Sequence, residues 1–78
     1  MSEVCAVKWN GCNVEEIKEL IDENITDINI EADFELVIRT SNNVLHLALD
    51  NWLVKKRSVY FGLNDYLFKK IYEEDYYE

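Results

Sequence analysis

The sequence predicts an α+β fold: a small antiparallel sheet with two helices, in the order β-α-β-β-β-β-α. Apolar residues recur at helical spacing in two stretches, around Ile17 and around Phe68. Elsewhere apolar and polar residues alternate with the two-residue period of a strand. Turn signals at Asn10-Gly11, Ser41-Asn42-Asn43 and Asp50-Asn51 cut the chain into short pieces. Strands in consecutive hairpins imply an antiparallel sheet with the helices packed over it. At 78 residues, the whole chain reads as one domain, 1–78.

Each element has its own signature. Residues 4–9, Val-Cys-Ala-Val-Lys-Trp, form the first expected strand. Asn13 is an expected helix N-cap, and Glu16 three residues later completes a capping-box pattern. Val14, Ile17, Leu20 and Ile21 share one helical face, while Glu15, Lys18, Glu19, Asp22 and Glu23 share the other. This predicts a helix over 14–23, ended by Asn24 in the left-handed conformation. Residues 27–39 alternate throughout and read as one long strand or as two split near Asp33. Leu45, Leu47 and Leu49 alternate with His46 and Ala48, which pairs with the preceding strand as a hairpin. Residues 52–56 and 59–63 make two more strands around a basic turn at Arg57-Ser58. Asn64 or Asp65 caps the last helix, with Leu67, Phe68, Ile71 and Tyr72 as its apolar face. Trp9, Trp52, Phe34 and Phe68 are expected in the core; Tyr60, Tyr66, Tyr76 and Tyr77 are candidates for the surface.

Composition excludes several classes. The apolar fraction is 49%, with two Trp, five Tyr and three Phe, so the chain has material for a core. A domain this small buries only about 60% of the surface its unfolded chain exposes, so modest stability is expected. No apolar run approaches the roughly 18 residues of a membrane helix. The start, Met-Ser-Glu-Val-Cys, has no basic or apolar leader region, so the expected compartment is the cytoplasm. Cys5 and Cys12 have no zinc spacing and make no disulfide framework. They read as two reduced structural thiols.

Charge is the sharpest signal. The net charge is −8. Residues 1–36 hold ten acidic and two basic side chains, whereas residues 37–78 hold six of each. The whole imbalance therefore lies in the first half. A second acidic group, Glu73-Glu74-Asp75 with Glu78, is offset by Lys55-Lys56-Arg57 and Lys69-Lys70. An acidic surface repels nucleic acid and anionic membrane and attracts basic protein surfaces. The candidate partner-binding residues are Glu15, Glu19, Asp22, Glu23, Asp27, Glu31, Asp33 and Glu35. Carboxylates at i,i+4 on a helix or i,i+2 on a strand lie about 6–7 Å apart, close to the phosphate spacing along one DNA strand. A charged, solubilising surface is the plainer account of the same residues.

Three blocks of sequence carry a family resemblance. Trp9-x-Gly11-x-Asn13-x-x-Glu16-Ile17 opens the chain, Asn51-Trp52-Leu53-Val54-Lys55 lies in the middle, and Tyr60-Phe61 with Phe68-Lys69-Lys70-Ile71-Tyr72-Glu73 closes it. In order and spacing these resemble a group of small uncharacterised proteins encoded in bacteriophages and prophages. Asn51 stands where that group usually has Asp, and Gly62-Leu63 where it commonly has Pro-Cys. The resemblance implies a phage accessory protein acting in the host bacterial cytoplasm.

Catalysis is not expected, and neither is a cofactor or a metal. A nucleophile–base pair would need His46, the sole histidine, beside a cysteine or serine, and His46 is predicted to face outward. Gly-rich phosphate loops are lacking. The leading expectation is stoichiometric binding: inhibition of a host nucleic-acid-targeting defence complex, of the anti-CRISPR type, through an acidic face that mimics nucleic acid. The expected partner is a host protein with a basic nucleic-acid-binding surface, without direct binding to nucleic acid or membrane. Two alternatives stand beside it. One is a sponge for a nucleotide signal, using Lys55, Lys56, Arg57 and nearby tyrosines. The other is a phage structural protein that self-assembles through exposed strand edges.

Overall fold

The computed structural model describes residues 4–73. It shows an α+β fold, and the chain order is the expected one. Strand β1 (Val4–Lys8) leads to helix α1 (Val14–Leu20). Then come β2 (Ile25–Ile30), β3 (Leu36–Thr40), β4 (Val44–Leu47), β5 (Trp52–Lys56) and β6 (Val59–Leu63). Helix α2 (Asp65–Phe68) runs on into a wider π-helical turn, Lys69–Glu73. The 27–39 stretch is broken at Ala32–Phe34, and its two halves pair with each other as β2 and β3.

Pairing is antiparallel throughout, but it builds two three-stranded sheets rather than one, in the orders β1-β5-β6 and β2-β3-β4. Trp9 explains the division. Its backbone N–H donates to the Asn51 carbonyl (2.9 Å), and its carbonyl accepts from Asp50 N–H (2.8 Å). The Ala48–Asn51 turn is thereby tied to the end of β1, so β5 must run alongside β1. This also ends β4 at Leu47, two residues short of the expected strand, and leaves Leu49 exposed. The sheets meet where β6 passes β4. A Cβ added to Gly62 would lie 3.5 Å from Leu47 Cδ1.

One core serves both sheets. Trp9, Ile17, Ile21, Leu36, Ile38, Leu47 and Leu53 form a single buried cluster. Burying such side chains is the main favourable contribution to folding. Strand β3 is central in its sheet and buries Leu36, Val37 and Ile38 in succession, so its apolar run does not alternate in burial.

The first helix differs from expectation at both ends. Asn13 makes no side-chain bond to a helix N–H. Its Oδ1 accepts from Asn10 N–H (2.9 Å), and its Nδ2 donates to the Lys8 carbonyl and to Glu16 Oε1, both at 2.8 Å. Asn13 and Glu16 do meet, but to close the preceding turn rather than to cap the helix. At the other end, Ile21 is already extended, which turns it into the core. Asp22 N–H then donates to the Tyr60 hydroxyl (2.8 Å) instead of continuing the helix. The left-handed cap expected at Asn24 is absent, since among the described residues positive φ falls elsewhere.

Helix α2 follows expectation at its start. Asn64 accepts from Leu67 N–H at 2.8 Å. Phe68 stacks on Trp52, ring centres 3.8 Å apart and planes within 8°, and Trp52 Nε1 donates to Asp65 Oδ1 (2.9 Å). Only Phe68 of the expected apolar face is buried. Leu67 and Ile71 are exposed; the short helix is tied to the sheet through the Trp52 contacts and through Lys8 of β1, whose Nζ lies 3.5 Å from Asp65 Oδ1. Tyr76 and Tyr77 lie outside the described residues, as does the acidic group at 74–78.

Candidate protein-binding surface

The eight candidate carboxylates fall into three groups. Glu15 and Glu19 stand exposed on α1, and Lys18 Nζ lies 3.6 Å from Glu15 Oε2. Asp22 and Glu23 follow the helix and are committed to the fold. Asp22 pairs with Lys55 of β5. That hydrogen bond is the main cause holding the Lys55 ammonium above its ordinary value of 10.5. Glu23 accepts from the Thr40 hydroxyl at 2.5 Å and from Asn43 Nδ2 at 3.0 Å on each oxygen. These bonds, Thr40 first, hold its carboxyl below its ordinary value of 4.5. Glu23 thus latches the end of α1 onto the β3–β4 turn.

The third group lies on the β2–β3 hairpin. Asp27 accepts from Asn29 Nδ2 at 2.7 Å. Glu31 and Asp33 are exposed in the connecting loop, and Glu35 Oε2 sits 3.4 Å from His46 Nδ1. Strand β2 rises about 3.3 Å per residue, so it spaces this loop about 17 Å from the Glu23 latch. The acidic residues make a helix group and a hairpin group, with two structural carboxylates between.

The hairpin loop holds a residue that sequence reasoning misplaced. Phe34 was expected in the core and is 58% exposed. Asp33 and Phe34 are consecutive left-handed residues, φ 58° and 62°, a conformation disfavoured for a bulky side chain. The Trp9 indole N–H donates to the Phe34 carbonyl at 2.6 Å and fixes this backbone. With the carbonyl pulled inward, the ring is turned outward. Phe34 is thus an exposed aromatic among Glu31, Asp33 and Glu35. Its position between acidic neighbours was the available signal; its left-handed backbone was not legible.

The basic run does not stay a cluster. Lys55 is paired with Asp22, while Lys56 and Arg57 are exposed at the β5–β6 hairpin tip. Tyr60 is half-buried with its hydroxyl engaged, and Tyr66 is exposed. Cys5 and Cys12 are free thiols, and both are exposed. A shallow depression of about 310 Å³ lies between β1 and α1, lined by Cys5, Ala6, Val7, Glu16, Glu19 and Leu20. Among the described residues, no cluster of three or more His, Cys, Asp or Glu is placed to hold a metal ion, and no helix is long and apolar enough to cross a membrane. No family model, curated protein or solved structure matches the chain.

Proposed function

We propose that the chain is a phage-encoded accessory protein that binds a basic, nucleic-acid-handling surface and inhibits it stoichiometrically. The target class is a host nucleic-acid-targeting defence complex, in the manner of an anti-CRISPR protein. One observation carries the reading. The acidic half of the chain presents Glu15, Glu19, Asp27, Glu31 and Asp33 to solvent, with exposed Phe34 amid the hairpin group. Carboxylates steer the approach to a basic groove, and an exposed aromatic supplies the desolvated anchor that interfaces concentrate their energy in. The three-block resemblance to phage proteins supports the choice of target.

Competition with target DNA for a purified RNA-guided nuclease tests it. The chain should displace DNA, with affinity falling as salt rises. Reversing Glu15, Glu19, Glu31 and Asp33 to Lys should weaken this by at least about tenfold and flatten the salt dependence. Asp22 and Glu23 are left alone, because each already has partners within the chain. A nucleotide-sponge role draws less support, since Lys55 already has a carboxylate partner.

A further inference from the structure

The depression beside β1 has the build of a strand-accepting groove. Among the described residues, β1 is an edge strand whose one pairing partner is β5. Residues of an antiparallel strand point their N–H and C=O groups alternately toward and away from the partner strand. The phase is fixed at Trp9, which exchanges both backbone bonds with the Asp50–Asn51 turn and so faces the β5 side. Val7 and Cys5 share that phase, and Ala6 and Lys8 face the open edge. The Lys8 carbonyl confirms this independently, because Asn13 of the following turn takes it at 2.8 Å. Ala6 is left presenting both N–H and C=O outward, and Lys8 its N–H, at the floor of the depression.

The wall opposite is α1. Leu20 offers an apolar surface, and Glu16 and Glu19 offer carboxylates. An exposed sheet edge with a helix alongside is the arrangement in which an extended peptide adds as an extra strand, main-chain bonds giving affinity and flanking side chains giving selectivity. Charge complementarity defines the occupant here. The geometry points to β1 and α1 as a docking groove for an extended peptide segment of a partner protein, about five residues long, that carries basic side chains at alternate positions. The alternate side chains that face α1 reach Glu16 and Glu19 with their charged ends, their aliphatic stems lie along Leu20, and the backbone pairs with Ala6. The groove shares Glu19 with the carboxylates proposed to meet a nuclease, but its strand-pairing edge is separate from them and is tested without any nuclease.

Cys5 reports on occupancy, because it lines the groove while Cys12 lies in the turn outside it. The probe is a capped five-residue peptide of alternating lysine and valine, titrated against the full chain to obtain its Kd. With peptide at about ten times Kd, only about one molecule in ten stays free, so thiol labelling at Cys5 should slow about tenfold while Cys12 is unchanged. The same peptide N-methylated at every residue keeps its charge but cannot pair as a strand, and should give no protection. Ala6→Pro removes the outward N–H at an edge position that tolerates proline, so the variant should keep its thermal midpoint and lose protection. Equal protection by the N-methylated peptide, or in Ala6→Pro, would reduce the effect to charge attraction and overturn the groove. So would no binding up to about 1 mM peptide.

Discussion

The indole N–H of Trp9 reaches 25 residues along the chain to the carbonyl of Phe34, at 2.6 Å. Trp9 is fully buried at the core end of this bond, and Phe34 is exposed at the other. One side chain thus joins the end of β1, the β2–β3 loop and, through its backbone, the Ala48–Asn51 turn. Trp9→Phe keeps most of the volume but leaves the Phe34 carbonyl without its donor, at a cost of about 1–3 kcal/mol. Trp9→Ala adds a cavity and should cost about 3–5 kcal/mol, a large part of the stability of so small a domain. Urea unfolding followed by tyrosine and tryptophan fluorescence measures both. Equal stability of Trp9→Phe and wild type would remove the bond from the account.

The strained loop predicts a separation of stability from binding. Asp33 and Phe34 both hold a left-handed backbone, which costs a bulky residue such as Phe34 about 1–2 kcal/mol and Asp33 less. Glycine relieves that cost but loses more entropy on folding, about 0.5–1 kcal/mol. Asp33→Gly should therefore leave the urea midpoint unchanged or raised. Phe34→Gly should behave similarly, because its ring packs little, yet it should abolish nuclease competition. A lowered midpoint in both would show that the loop is not strained.

Gly11 makes the opposite prediction. Its φ is +90°, and an added Cβ would meet Leu49 Cδ1 at 3.3 Å. Gly11→Ala should destabilise by more than about 1 kcal/mol, through backbone strain first and crowding second. Thermal unfolding of the variant checks this. Truncating Leu49 to Ala in the same chain should recover only the crowding part.

Acid should loosen the fold through two carboxylates. Glu23 lies below its ordinary 4.5 because of Thr40 and then Asn43. Asp65 lies below its ordinary 3.8 chiefly because of the Trp52 indole, with Lys69 adding to it. Both values are depressed in the folded state, so their stabilisation is complete above those ordinary values and is lost as pH falls below them. Lys55 is raised, so its contribution is complete below 10.5 and lost as pH rises above that value. Glu23→Gln should be less stable than wild type at about pH 7, and the gap should close as pH falls through the acid limb. A gap that stays constant with pH would mean that Glu23 does not latch α1 to the β3–β4 turn.

The local pieces of this fold were legible because their signals are local. Asn64 before an apolar pair, the Arg57-Ser58 turn and the alternation in β5 and β6 each act within a few residues. What depends on distant contacts was not. Asn13 reads as a cap, but its amide is claimed by the Lys8 carbonyl across the turn. Phe34 reads as core from its alternation with Leu36 and Ile38, until a hydrogen bond from Trp9 turns its backbone over. The division into two sheets follows from the same tryptophan. The acidic character of the candidate site was legible in full. Its partition was not, because nothing near Asp22 or Glu23 in sequence announces Lys55, Tyr60, Thr40 or Asn43 as their partners.

Exposed carboxylates of the helix and hairpin groups are proposed to engage a host nucleic-acid-targeting complex. The most direct measurement is phage interference in bacterial cells that carry an active RNA-guided nuclease and express this chain. Wild type should abolish interference. A variant with Glu15, Glu19, Glu31 and Asp33 changed to Lys, expressed to the same level with an unchanged thermal midpoint, should restore it. Full interference in the presence of wild type, across nuclease types, would contradict the claim; so would unimpaired inhibition by the reversed variant.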